Sequence, residues 1–329
     1  MKIALLLGGT SPEREVSKKT SKSILGALRE LGHEVIPIDP AYGLNQPKDE
    51  NNFFAEKDYT ELSNKNYIDI INSQLFDDID LAFLALHGRW GEDGTIQSLL
   101  EMRGTKYTGS GILTSSLAMD KAMTKVVIQH FGVSTPSWIV ADINEKDFSE
   151  YPQKIKNQFG YPCIIKPNDQ GSSVSLTVCK SDADVIPAIK LALQFSDKAL
   201  IEEFIPGREL TVAVLDGVAL PILEIVPKSG LYDYESKYTS GKSEYIVPAP
   251  MPEEVRIDIQ SQAVKAFNAV GCKCYSRIDF RLTEENKAYC LEINTLPGMT
   301  SLSLVPKAAA AAGISFVELI DRIVQNAVK

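Results

Sequence analysis

The sequence predicts an α/β protein built from two or three packed modules, and three observations carry that reading. The chain has 329 residues, about twice a usual domain length. Its opening third alternates apolar strand text with Gly-rich turns and helical segments, which is how a parallel sheet begins. Its later text is patterned separately, with strands gathered around a long polar loop. Hydrophobic residues make up 44%, charged residues 23% and aromatic residues 8%, the composition of an ordinary globular chain rather than a disordered or collagen-like one.

Taken in order, KIALLLGG is a strand stopped by Gly8-Gly9, a helix follows over about 17–31, and HEVIPID is the second strand. Residues 41–66 are polar, with Asn-Asn, Pro47 and many charges, and read as a mobile excursion between elements rather than as core. IDLAFLALHG is the third strand, ending at Gly88, with a helix over about 95–102. The second module opens with a helix over 116–130, continues through the strands PSWIV, YPCIIKP and ALIEEF, and has helical text around 182–195. From Glu209 strands dominate (LTVAVLDG, ALPILEIV), then a Tyr/Ser/Lys/Gly-rich stretch over 230–245 reads as a long loop of the kind that often serves function. A helix over 253–270, a hairpin and an Ala-rich terminal helix close the chain.

Thirty-four Lys and Arg against 43 Asp and Glu give a formal charge of −9, gathered into no tail or arm. Duplex nucleic acid is a poor partner, because phosphate binding needs a positive footprint; a small anion held by a few placed cations fits. The apolar run at 3–7 is too short for a signal peptide or a membrane span, so the expectation is a cytoplasmic protein with no membrane partner. The five cysteines are odd in number and sit mostly in apolar strand text, as small core residues of a reducing compartment do. Cys272 and Cys274 have too little His support for a zinc knuckle, the chain holding only three His.

The residues over 276–294 read as two strands around a short polar turn, a β-hairpin. If Leu282 pairs with Lys287, Asp279 lies opposite Cys290, and alternation puts Glu292 and Asn294 on the face of Asp279, with Arg277 beside them. Two carboxylates and an amide suit Mg²⁺ completed by waters and phosphates; an exposed hairpin with solvated acids is the alternative. Lys166 ends an apolar strand and precedes NDQGSSV, a loop able to fold N–H groups over phosphates, although no Walker A motif occurs and a surface turn has the same look. Lys121, on a helix, reads equally as a solvated lysine. His87-Gly-Arg-Trp-Gly-Glu-Asp-Gly falls at the carboxyl end of the third strand, where open α/β sheets place ligands, and the first strand delivers Gly9 to Glu13 to the same edge. No G-x-S-x-G elbow supports serine hydrolysis.

Together these residues resemble the D-alanine:D-alanine ligases of the ATP-grasp superfamily. The similarity covers nearly the whole chain: LLGGTSPEREVS, ALHGRWGEDGTIQS, YTGSG, SSLAMDK, IIKPNDQGSSV, LIEEFIPGRELTVAV, YDYESKY, SRIDFRL and LEINTLPGMTSLSLVP occur in order. The resemblance implies a three-domain ATP-grasp fold, with a parallel-sheet substrate domain over 1–118, a central domain over 119–205, and a catalytic domain over 206–329 whose loop 230–245 is a lid. It implies ligation of two D-alanines to D-alanyl-D-alanine through a D-alanyl phosphate, with ATP and two Mg²⁺ (or Mn²⁺), for peptidoglycan precursor synthesis by a cytoplasmic homodimer.

By the same resemblance Asp279, Glu292 and Asn294 hold the metal ions, Lys121, Lys166 and Lys237 hold phosphates, and Ser173, Glu202, Glu203, Phe204 and Glu209 complete the nucleotide site, Glu202 and Glu209 facing adenine and ribose. Glu13 receives the first D-alanine's ammonium with His87 close by; Arg277 and the N–H of Gly298 form the oxyanion hole; Ser303 and Leu304 take the second D-alanine's carboxylate. Ser172 and Tyr238 link to Glu13 and fasten the lid. The sequence departs from the pattern in a longer 41–77 segment and in Trp90, where a smaller residue is frequent. Rival readings are a D-alanine:D-serine or D-lactate ligase, against which the intact YDYESKY speaks in the case of lactate, and a non-catalytic nucleotide-binding protein of the same fold.

Overall fold

The computed structural model describes residues 1–172, 175–227 and 242–329. In the first sheet β1 (Lys2–Leu6) lies between β2 (Glu34–Ile38) and β3 (Leu81–Leu84), all parallel, with Ile3 paired to Val35 on one side and Leu81 on the other. A central parallel strand is covered on both faces, which is why Ile3, Ala4, Leu5 and Leu6 are all buried without alternation. α1 (Arg14–Glu30) buries Ile24, Leu25 and Leu28, a helical spacing along one face. It begins before the expected residue 17, so Glu13 stands at its N-cap and makes no side-chain capping bond.

The stretch 41–66, expected as a mobile excursion, is anchored in the core instead. Tyr42 and Phe53 are buried, as are Tyr67, Ile70 and Ile71 on and around α2 (Asn66–Ile71). The Tyr42 hydroxyl accepts from Arg14 Nη2 at 2.9 Å and from the N–H of Tyr59 at 3.0 Å, and Arg14 also pairs with Asp39 at 2.6 Å and Asp58 at 2.8 Å. Lys18 joins Asp58 at 3.1 Å. The segment is tied down by charges whose partners sit on α1, a cause that no apolar periodicity within the segment announces. α3 (Thr95–Arg103) completes this part of the chain.

The helix expected over 116–130 is two, α4 (Ile112–Met119) and α5 (Lys121–His130), parted at Asp120, whose side chain caps α5 by accepting from the N–H of Met123 at 3.0 Å. The second sheet is antiparallel and contains β4 (Trp138–Asp142), β5 (Cys163–Pro167), β6 (Thr177–Cys179) and β7 (Lys198–Glu203) in the order β4-β7-β5-β6. α6 (Tyr151–Gln158) and α7 (Asp182–Ala192) cover one face, packing Ile155, Val185 and Ile189 against Cys163, Ile165 and Ile201. Neither α6 nor the three-residue β6 was legible as an element, being too short and too polar to show a period.

The third sheet, also antiparallel, has the order β11-β10-β8-β12-β13, from β8 (Arg208–Leu215), β10 (Leu223–Pro227), β11 (Ser243–Ile246), β12 (Tyr275–Leu282) and β13 (Ala288–Asn294), with the short β9 (Val218–Ala219) paired to β8. The expected loop 230–245 therefore ends in strand β11, while its residues 230–241 lie outside the described residues. Ile278, Phe280 and Leu282 pack beneath the sheet with Ile259 and Phe267 of α8 (Glu253–Val270) and with Ile128 of α5. Alternation then turns Arg277, Asp279 and Arg281 to the opposite face.

The Ala-rich terminal helix is two helices, α9 (Leu304–Ala311) and α10 (Phe316–Val328), separated at Gly313, whose φ of +80° suits glycine. Both return to the start of the chain: Val305, Ala308, Ile320 and Ile323 belong to the same hydrophobic cluster as β1 and β3. This return lays the segment before α9 against α1. All five cysteines are buried free thiols, as expected. Among the described residues no helix is long and apolar enough to cross a membrane.

Candidate active site

The hairpin β12–β13 forms, but in a register other than the expected one. Leu282 pairs with Ala288 rather than Lys287, and Phe280 with Cys290; then Asp279 pairs with Glu292 and Arg277 with Asn294. Leu291 is thus an extra residue, a β-bulge. In this wider register alone Asp279 would oppose Leu291 and Glu292 would face away from it; the bulge shifts the strand by one and turns Glu292 back. Two departures from the simple hairpin cancel, so the expected face is correct although the expected pairing is not. Asp279 accepts from Thr211 Oγ1 at 2.6 Å and from Arg277 at 2.8 Å, and Glu292 lies 3.7 Å from Lys121 Nζ. The described residues contain no group of three His, Cys, Asp or Glu placed to hold a metal; the hairpin offers two carboxylates and an amide, an all-oxygen set that fits a hard divalent cation sharing its remaining positions with phosphate and water.

Above this hairpin opens a cleft of about 500 Å³, lined from the N-terminal part by Glu13, His87 and Glu92, from the loop after β5 by Gly171 and Ser172, and from the third sheet and its exit by Arg277, Glu292, Asn294, Gly298, Ser303 and Leu304. Glu13 is held closely. Ser172 Oγ donates to its Oε1, and a Cβ at Gly88 or Gly171 would come within 2.8 or 2.9 Å of its Oε2. Gly88 also has φ +69°, so close approach and backbone conformation both require glycine there. At the far end a Cβ at Gly298 would lie 3.0 Å from Ser303 Oγ, which accepts from the N–H of Thr300 at 2.9 Å.

His87 is buried, with Nδ1 3.5 Å from Glu92 and Nε2 3.2 Å from Thr20 Oγ1. Burial pulls its imidazole down, but the carboxylates of Glu92 and Glu13 outweigh that and raise it above the ordinary histidine value. The N–H of Met299 also reaches Thr20 Oγ1, at 3.5 Å, so Thr20 joins the His87 loop to the segment that carries Gly298. Trp90 adopts φ +71°, uncommon for a bulky residue, with its N–H on Asp93 at 2.9 Å and the Arg89 guanidinium 4.8 Å from its ring centre.

On the side of the second sheet, Glu202 on β7 sits diagonally across from Lys166 on β5, because its direct partner there is Ile164. Its Oε1 lies 2.5 Å from Lys166 Nζ and its Oε2 2.9 Å from Lys125 Nζ. Burial pushes the Glu202 carboxyl up, yet the two ammonium groups overcome this and hold it down to about 2. Lys166 is likewise lowered by burial but raised overall by Glu202, Glu292 and Glu209. Lys121 donates to the carbonyl of Gln170 at 2.7 Å, fastening the loop after β5 to the start of α5. Glu209 pairs with Arg281 at 3.3 Å, across the β8–β12 ladder. Glu203 ends β7, its N–H on the carbonyl of Ser137 at 2.9 Å, and Phe204 follows it.

The structure thus brings Glu13, His87, Ser172, Arg277, Glu292, Asn294, Gly298, Ser303 and Leu304 into one cleft, with Asp279 paired to Glu292 at its floor. Glu202 and Lys166 form a separate buried cluster, and Ser173, Lys237 and Tyr238 lie outside the described residues. Glu92, carried by the motif after the third strand, lines the cleft with them, as do Lys19 and Lys22, which were not singled out from sequence. The two lysines follow Glu15 and Val16 at helical spacing on α1, a pattern legible only once the helix is known to start at Arg14. Lys125, four residues after Lys121 on the same helix, was also passed over, since a helical lysine ordinarily solvates a face.

Comparison with known proteins supplies the family. The family model described as D-ala D-ala ligase N-terminus matches residues 2–110, and that described as D-ala D-ala ligase C-terminus matches residues 127–325. A D-alanine–D-alanine ligase of Syntrophotalea carbinolica is 43% identical over 326 residues, covering 99% of this chain and 96% of its own. One from Halalkalibacterium halodurans is 42% identical over 335 residues, covering 100% of both chains. Among solved structures, the D-alanine–D-alanine ligase of Bacillus anthracis complexed with ATP superimposes with a TM-score of 0.80 at 30% identity, covering 100% of this chain and 97% of that one. The chain belongs to the D-ala D-ala ligase family.

Proposed function

We propose that this chain joins two D-alanine molecules into D-alanyl-D-alanine with conversion of ATP to ADP and phosphate, through a D-alanyl phosphate, for peptidoglycan precursor synthesis. The observation that carries the reading is the convergence on one cleft of a carboxylate from the first sheet, a hydroxyl from the second and an Arg–Asp–Glu–Asn set from the third. A carboxylate is a poor electrophile until phosphorylated, and the acyl phosphate must then meet an amine before it meets water.

In this reading Glu13 receives the first D-alanine's ammonium, with Ser172, Gly88 and Gly171 fixing its carboxylate and His87 beside the substrate. Lys121, Lys166 and Lys237 hold phosphates, and Ser173, Glu202, Glu203, Phe204 and Glu209 line the rest of the nucleotide site. Asp279, Glu292 and Asn294 would hold Mg²⁺ (or Mn²⁺), which when bound would neutralise the negative charge of the phosphates. Arg277 and the N–H of Gly298 stabilise the oxyanion of the tetrahedral intermediate. Ser303 and Leu304, at the start of α9, take the second substrate's carboxylate. Tyr238 with Ser172 closes the lid over the cleft.

Phosphate release from ATP with Mg²⁺, measured with D-alanine, L-alanine, D-serine and D-lactate singly and in pairs with D-alanine, tests this, products being identified by mass. D-alanyl-D-alanine formed one to one with phosphate is expected; a mixed product would keep the fold and replace the second substrate. The division into parts at 118/119 and 205/206, a cytoplasmic site of action and a homodimer belong to the same proposal. Light scattering at micromolar concentration is expected to give a dimer, and a monomer would remove that part of it.

A further inference from the structure

We infer that Lys125 is a positioning residue of the nucleotide site, acting through Glu202 so that this carboxylate does not by itself neutralise Lys166 and its positive charge stays available to the phosphates. The inference rests on the ligase reading and adds a residue to it. Lys125 is fully buried on α5, yet its ammonium is completely engaged: Glu202 Oε2 at 2.9 Å, Thr135 Oγ1 at 2.8 Å, the carbonyl of Pro136 at 3.3 Å, and the Trp138 ring centre at 5.6 Å. Thr135 in turn donates to the carbonyl of Cys290 at 2.8 Å, on β13, the strand that carries Glu292. A buried ammonium costs several kcal/mol in desolvation, and a solvated lysine on the same helix would cost nothing, so its placement calls for an electrostatic reason.

Charge balance supplies one. Glu202 gives one oxygen to each lysine, so the cluster of Lys125, Lys166 and Glu202 carries one net positive charge. Without Lys125 the lone carboxylate would cancel Lys166, and a phosphate would meet a neutral pair. Lys166 is the member of the cluster nearer to solvent, its side chain being 12% exposed against 0% for Lys125, so the surplus appears where an anion can reach it. Burial, with the neighbouring Lys166 ammonium, lowers Lys125 overall, and Glu202 offsets only part of this.

The test uses the full chain, with inorganic tripolyphosphate as a probe for the phosphate site and adenosine as a probe for the ring site. Lys125→Met should weaken tripolyphosphate binding on the order of tenfold, about 1.4 kcal/mol, with adenosine binding unchanged, and Lys125→Arg should retain most of the affinity. The double variant Lys125→Met/Glu202→Gln removes both charges, restores one net positive charge, and should recover tripolyphosphate binding. It also serves if the single variant folds poorly, because it removes the buried Lys125–Glu202 charge pair as a whole and leaves only Lys166, the more exposed of the two lysines, charged. Wild-type tripolyphosphate affinity in Lys125→Met, equal loss of both probes, or a double variant that does not recover would overturn the inference. A wild-type chain that binds neither probe nor ATP overturns the ligase reading and this inference with it, whereas failure confined to the variants overturns this inference alone.

Discussion

Asp279 and Glu292 face each other directly across β12 and β13, and they do so because Leu291 is bulged out of the ladder between them. Like charges set opposite on a strand pair repel, and here Arg277 at 2.8 Å from Asp279 and Lys121 at 3.7 Å from Glu292 offset the repulsion. A bulge beside a pair of carboxylates re-aims one side chain, as bulges near active sites commonly do.

Glu292→Gln should abolish Mg²⁺-dependent ligation while leaving the fold intact, since an amide keeps the shape but gives up the charge that a divalent cation requires. Circular dichroism and phosphate release at graded Mg²⁺ check this. A fully active variant would refute the metal assignment.

Gly171→Ala should raise the KM for D-alanine about tenfold, near 1.4 kcal/mol, with little change in thermal midpoint. The added methyl would sit 2.9 Å from Glu13 Oε2 and must displace that carboxylate, while no unusual backbone conformation is lost. Steady-state kinetics beside a melting curve separate the two effects, and an unchanged KM would show that Glu13 does not set substrate affinity.

Ser172→Ala and Tyr238→Phe should each raise D-alanine-dependent ATP hydrolysis relative to dipeptide formed. Ser172 Oγ donates to Glu13, and removing that contact loosens the closure that keeps water from an acyl phosphate. The ratio of phosphate to dipeptide is the measurement; one-to-one coupling in both variants would sink the role.

Glu202 gives a pH dependence with a defined sign. Its folded value is held down to about 2 from an ordinary 4.5, so its stabilising contribution is present above about pH 4.5 and is lost as pH falls toward 2. Glu202→Gln leaves two buried lysines without their counter-ion and should cost about 3 kcal/mol at neutral pH, a gap that narrows below pH 4.5. Urea unfolding at pH 7 and at pH 3.5 reads both values.

Much of the fold was legible because burial imposes periods on sequence. The unbroken apolar run of β1, the 3.6-residue spacing of α8 and the alternation of Ile278, Phe280 and Leu282 each announced an element and its buried face. The break at Asp120 and the early start of α1 were not legible in that way, because capping and loop geometry decide helix ends within a residue or two. The segment 41–66 was misjudged because Arg14 and Lys18, its anchors, lie in another element.

The amino-acid sequence by itself determined the α/β class, the order of the strands along the chain, and the family, through motifs that keep residue types and spacing together over the whole length. Only the tertiary structure decided which of those residues meet. Glu13 and Ser172 are joined by the approach of the first and second sheets, the N–H of Met299 reaches Thr20 because the last helices fold back onto β1 and β3, and Lys125 meets Glu202 through the docking of α5. Contacts between residues far apart in the chain arise from the packing of whole elements, and that packing depends on the shape and charge of both partners, which no local window of sequence contains.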